Sequence, residues 1–134
     1  MDDLRLDRRT AEDFAAGTGD APTDALAAVQ RFDRAFAARD VDAVMAAMTP
    51  DCVFEDTSPP DGGRHVGVAA VRAAWEQLFR SSPDALFVTE EVFVAGDRVV
   101  SRWWYDFDGG HVRGVDLFTV RDGLVAEKLS YVKG

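Results

Sequence analysis

Hydrophobic positions along the chain follow two different periods. From "PTDALAAVQRFDRAFAARD", Leu26, Val29, Phe32 and Phe36 recur every three or four residues, the spacing of one helix face, with Thr23 or Asp24 placed to cap the start. Asp40 caps a shorter helix, "VDAVMAAM", which must end before Pro50 because the residue preceding a proline avoids helical geometry. "DCVFED" reads as a strand. Beyond a Pro/Gly-rich turn, "GVAAVRAAWEQLFR" returns Val68, Val71, Trp75, Leu78 and Phe79 to helical spacing, and "SSPD" ends that helix. "ALFVTEEVFVAG", "DRVVSRWWYDF", "HVRGVDLFTV" and "LVAEKLSYV" are then rich in β-branched and aromatic residues. Their joints "AGD", "DGG" and "RDG" are hairpin signals, so the four should form an antiparallel meander. Helices first and a curled sheet afterwards predict an α+β domain.

The organisation is simple: a domain at 23–134 follows a stretch, 1–22, whose charged and small residues end in "AAGTGDAP" and read as a partly ordered N-terminal extension. At 134 residues and 47% hydrophobic, with nine Phe and three Trp, the chain is too apolar to be disordered and long enough for one core. Its net charge of −9, with basic residues scattered singly, argues against nucleic acid and anionic membrane surfaces as partners. The lone Cys52 excludes an intramolecular disulfide, and "MDDLRLDRRTAEDF" lacks the apolar core of a signal peptide, so a cytoplasmic location is expected. No apolar run approaches the ~20 residues of a membrane span.

Candidate chemistry begins where the first strand ends. Alternation sends one of Glu55 and Asp56 outward and the other toward whatever the sheet covers. An inward Asp56 is a candidate base, whose carboxyl an apolar pocket would raise; the bland reading is an Asx-type turn cap. Asp116 interrupts the otherwise apolar "VRGVDLFTV", and an acid facing inward there needs a partner or a proton. In "LVAEKLSYVKG", Lys128 and Ser130 share one face and Glu127, Leu129 and Tyr131 the other; either face could be the inner one. His65, in "GGRHVG", offers an imidazole near the turn, and His111 reads as a hairpin-end residue. Trp103 and Tyr105 alternate with Trp104. Two histidines, one cysteine and no HxxxH or CxxC spacing give no support for a metal, and neither a P-loop nor GxGxxG is present, so no cofactor is expected.

Together, "DVDAVMAAMTPDCVFED", "GVAAVRAAW" and "RGVDLFTVRDGLVAEKLSYV" resemble the nuclear transport factor 2-like superfamily and, within it, the SnoaL-like and ketosteroid isomerase branch, over about residues 24 to 132. The resemblance implies a cone: a curved sheet around three helices, enclosing a deep apolar pocket. It places Asp56, in "FEDTSPP", on the isomerases' proton-abstracting aspartate, and Asp116, in "GVDLF", on their second, hydrogen-bond-donating acid. It also places Phe32 and Trp75 where those enzymes have tyrosines, so their oxyanion network is absent, and losing one such donor costs about 10²–10³ in rate. The implied function is a cofactor-independent isomerase, cyclase or lyase acting on a small apolar carbonyl compound, with Asp56 and Asp116 catalytic and Phe32, His65, Trp75, Trp103, Tyr105, Phe118 and Lys128 binding substrate. The alternative is a non-catalytic ligand-binding or dimerisation module. Water activation as in limonene epoxide hydrolases would need an arginine between paired acids, and Arg113, three residues from Asp116, falls on the other strand face. Apolar residues on both faces of "GVDLF" lead to an expected homodimer through the outer sheet face.

Overall fold

The structure is a computed structural model that describes residues 24–133. The expected extension, 1–22, and the possible cap Thr23 lie outside the described residues. Three helices precede most of the sheet: α1 (Asp24–Ala37), α2 (Val41–Ala46) and α3 (Val68–Ser81). The strands are β1 (Met48–Glu55), β2 (Arg64–Val66), β3 (Leu86–Ala95), β4 (Arg98–Phe107), β5 (Gly110–Arg121) and β6 (Leu124–Val132). As expected, Asp40 caps α2 by accepting a hydrogen bond from the Ala43 amide at 3.1 Å.

All six strands form one curved sheet in the order β2-β1-β6-β5-β4-β3, giving the expected α+β class. The β3 to β6 meander is antiparallel throughout. Two features go beyond the sequence reading: β2 pairs antiparallel with β1, and β1 pairs parallel with β6. The second contact brings the strand preceding the turn against the last strand of the chain, and so joins the two halves of the site.

The core lies between the helices and the inner face of the sheet. Val29, Phe32 and Phe36 of α1, Val71 and Trp75 of α3, and Val99, Phe118 and Val125 of the sheet are buried there. Phe32 meets Trp75 at 5.8 Å and Phe118 at 5.7 Å between ring centroids, both edge-on. This corrects the expected placement of two residues: Phe32 and Phe118 fill the seam between α1 and the sheet, buried in the core rather than exposed to a cavity.

Inner positions of the meander also fit around Gly114. A Cβ there would meet the Tyr131 carbonyl oxygen and stand 2.6 Å from the Trp103 ring, so a glycine lets the indole lie flat on the sheet. Gly114→Ala is expected to cost about 1–3 kcal/mol by overpacking, read as a lowered midpoint in denaturant unfolding; an unchanged midpoint would show that the β6 backbone at Tyr131 and the Trp103 ring both give way freely.

Candidate active site

Paired residues on neighbouring strands share a face of the sheet, so the register alone defines the floor of the site. Phe54 of β1 is paired on one side with His65 of β2 and on the other with Lys128 of β6. His65, Phe54 and Lys128 therefore stand in a row on the inner face. At ~4.8 Å per strand, the outer two are about 10 Å apart at Cα. The next inner row holds Ser130 and its β5 partner Asp116. Lys128 consequently points inward and Tyr131 outward, which settles the parity left open by alternation.

Above this floor lies a cavity of about 560 Å³, within the range of small-molecule sites. Its walls are mainly apolar and aromatic, including Phe36, Phe54, Phe87, Trp103, Tyr105 and Phe107. Asp56, His65, Lys128 and Ser130 are among the polar residues that reach it. Of the expected site residues, the fold thus gathers Asp56, His65, Trp103, Tyr105 and Lys128 on one cavity. Asp116 does not line it: only 2% exposed, it sits behind Lys128 and Ser130. Trp75 is fully buried behind the wall, but its ring lies 5.4 Å from the Lys128 ammonium.

The Asp56 end is built by a loop folded back on itself. Asp56 Oδ1 accepts hydrogen bonds from the Ser58 amide (2.9 Å), the Ser58 hydroxyl (2.7 Å) and the Gly63 amide (2.6 Å). Close approach explains the paired glycines of "DGGRH": Gly62 has φ +87°, and a Cβ on Gly63 would stand 2.9 Å from Asp56 Oδ2. Oδ2 is 3.0 Å from His65 Nε2. Burial alone would raise the Asp56 carboxyl, yet the hydrogen bonds from His65, Gly63 and Ser58 outweigh it and hold the group well below the usual carboxylate range. The expectation of a raised Asp56 is therefore corrected. An ionised carboxylate can only accept, so His65 donates through Nε2, and when the ring is neutral the lone pair is on Nδ1. The imidazole also stacks on Phe54, with centroids 5.6 Å apart.

The Lys128 end is a cation enclosed by rings. Its ammonium lies 4.9 Å from the Phe54 centroid, 5.4 Å from Trp75 and 5.8 Å from Phe36, distances at which ring faces attract a cation. It donates to Ser130 Oγ at 2.9 Å and is 3.4 Å from Asp116 Oδ2, while Ser130 donates to Asp116 Oδ1 at 2.7 Å. A third acid, Asp33 on α1, is one that the sequence reading misses. Desolvation first, and repulsion from Asp116 second, push its carboxyl up to about 7 against the attraction of Lys128. Its signal in the sequence is an acid directly beside Phe32, on a helix whose apolar stripe faces the sheet. Trp75 and Trp103 each hold a buried indole N–H without a hydrogen-bond partner among the described residues.

Arg113 takes no part in the cavity. It pairs with Glu90 at 2.8 and 3.0 Å and lies 5.3 Å over Trp104, whose other neighbour is His111 at 4.5 Å. Arg113 thus lies on the strand face expected for it, away from Asp56 and Asp116. No helix of the described residues is long and apolar enough to cross a membrane.

Comparisons with known proteins agree with this architecture. A nuclear transport factor 2-like protein of unknown function from Mesorhizobium loti is 41% identical over 83% of this chain and 92% of its own, with a TM-score of 0.75. A putative polyketide cyclase from Sinorhizobium meliloti is 28% identical over 77% of this chain and 92% of its own, with a TM-score of 0.69. A computationally designed 17-OHP binder is 27% identical over 81% of this chain and 93% of its own, at a TM-score of 0.71. Among curated proteins, none matches. Residues 29–128 match the profile of the SnoaL-like domain, and the chain belongs to that family.

Proposed function

We propose that this protein catalyses proton transfer at the carbon next to a carbonyl in a small, largely apolar molecule, the elementary step of isomerases, cyclases and some lyases. One observation carries the reading: His65 and Lys128 flank Phe54 in a single row beneath the cavity, an acid/base group on one side and a cation on the other. In this assignment the base is His65 rather than Asp56. A carboxylate already accepting four hydrogen bonds is a weak proton acceptor, whereas the same carboxylate orients the imidazole and stabilises it once protonated. Lys128 meets the carbonyl end of the substrate, where negative charge develops. Asp116 and Ser130 position Lys128, and aromatic walls hold the apolar body.

Support from relatives is coarser: one neighbour is called a putative polyketide cyclase and another a computationally designed 17-OHP binder, so small-molecule chemistry and binding are both named on this fold. The test is exchange of α-hydrogens for deuterium, followed by proton NMR, across a panel of apolar ketones incubated with the full chain in deuterated water. Enzyme-dependent exchange is expected. Tight binding without exchange would favour the binding module instead.

The same reading includes a homodimer through the outer sheet face. Phe93, Val100, Leu117 and Leu129 are paired in register across β3 to β6 and form an apolar stripe, with Phe93 49% and the nearby Tyr131 50% exposed. Light scattering at micromolar concentration should give about twice the 14.7 kDa chain mass; a monomer would refute it.

A further inference from the structure

We propose that Lys128 is a covalent group: its amine forms an imine with the carbonyl carbon of the substrate, an aldehyde or ketone. The inference rests on the carbonyl-binding reading above and adds to it a bond and a lysine function. Its starting point is the distribution of cations. The chain has thirteen arginines but only two lysines, Lys128 and Lys133. Lys133 is exposed just beyond β6, whereas Lys128 is 6% exposed on the cavity floor. For holding an anion, a guanidinium makes the stronger, two-pronged contact; what an amine can do, and a guanidinium cannot, is lose its proton and attack carbon.

The surroundings supply a route for that proton. Lys128 Nζ, Ser130 Oγ and Asp116 Oδ1 form a chain of hydrogen bonds of 2.9 and 2.7 Å, ending on a buried carboxylate. One ammonium proton passes along it to Asp116. The neutral amine's lone pair then forms the N–C bond as the carbonyl π bond breaks, and a second nitrogen-bound proton moves to the former carbonyl oxygen. Ser130 Oγ, which lines the cavity, passes its proton to that hydroxyl and takes the one held on Asp116, the C–O bond breaks, and water leaves. The product is an iminium that retains one N–H and the positive charge with which Lys128 began. Phe36, Phe54 and Trp75 around Nζ stabilise that delocalised cation as they do the ammonium. An iminium draws electrons more strongly than a carbonyl, so removal of the α-proton by His65 follows more readily.

The experiment is reductive trapping. The full chain is incubated with cyclohexanone and cyanoborohydride, and the alkylated lysine is located by peptide mass mapping. Lys128 should be modified at least tenfold faster than the exposed Lys133, and Ser130→Ala should slow the Lys128 reaction but not that of Lys133. Equal labelling of the two lysines, or preference for Lys133, overturns the proposal. Two variants separate its failure from that of the proton-transfer reading. His65→Gln should keep trapping at Lys128 while losing exchange. Lys128→Arg preserves the charge and should lose both; exchange that survives in Lys128→Arg refutes the imine and leaves the proton transfer standing.

Discussion

His65→Gln is expected to lower α-hydrogen exchange by about 10²–10⁴-fold, the usual weight of a positioned acid/base group, with little change in stability. Glutamine can donate its amide hydrogen to Asp56 Oδ2 as Nε2 does now at 3.0 Å, so the loop around Ser58 and Gly63 keeps its shape while the basic lone pair disappears. Asp56→Asn makes a complementary change. The asparagine carbonyl still accepts from the Ser58 and Gly63 amides, but its amide group donates toward Nε2 and drives the imidazole hydrogen to Nδ1, the position that must be free to act as base. A loss approaching that of His65→Gln, up to about 10⁴-fold as for other carboxylates whose replacement leaves an imidazole in the wrong tautomer, is expected from that variant. NMR exchange rates at saturating ketone decide both. If Asp56→Asn is as damaging as His65→Gln or worse, and His65→Gln retains exchange, the base is Asp56 after all.

Sequence reasoning reaches the fold more easily than the site for identifiable physical reasons. Period and turn chemistry are local properties, so α1, α3 and the β3 to β6 meander are readable from Leu26 to Val132. The three residues of β2 are too few to show a period, and the parallel β1 to β6 pairing joins segments more than seventy residues apart. That non-local contact is also what places Lys128 beside Phe54, so the inward lysine is one of two options until the register is known. The surroundings of the two aspartates differ from expectation for a related reason. An apolar pocket is expected to raise Asp56, but amides from its own returning loop reverse the sign. Asp116 is expected at the cavity, yet Ser130 and Lys128, its neighbours across β6, stand in front of it. Phe32 and Phe118 are assigned to substrate because a helical or strand position says which way a side chain faces, not how far a neighbouring helix descends over it.

Removing Asp116 should damage stability more than any other change proposed above. Asp116→Leu leaves the Lys128 ammonium in a buried aromatic enclosure with only Ser130 as a hydrogen-bond partner among its present contacts, and breaking a buried ion pair from one side costs about 3–5 kcal/mol. The lower end is expected, because Asp33 can respond. Its carboxyl is held up to about 7 by desolvation and then by Asp116; with Asp116 gone and Lys128 still present, it ionises at lower pH and supplies a substitute charge. The same coupling predicts the pH dependence. A carboxyl that keeps its proton to about 7 when folded, but releases it near 3.8 when unfolded, makes stability fall as pH rises between those values. That fall should be shallower in Asp116→Leu than in the wild type, and denaturant midpoints at pH 5 and pH 8 measure it. The double variant Asp116→Leu, Lys128→Met replaces the pair by apolar side chains, the methionine against Phe36, Phe54 and Trp75, and should recover to within about 1 kcal/mol of the wild type while losing all exchange. Failure of the double variant to recover would mean that the loss comes from the poor fit of a leucine side chain in the space Asp116 occupies, rather than from an orphaned charge. A stability loss below about 1 kcal/mol in the single variant that stays as small when Asp33→Asn is added would show that water reaches Lys128 freely, and with it that the cation is not held for chemistry in the way proposed.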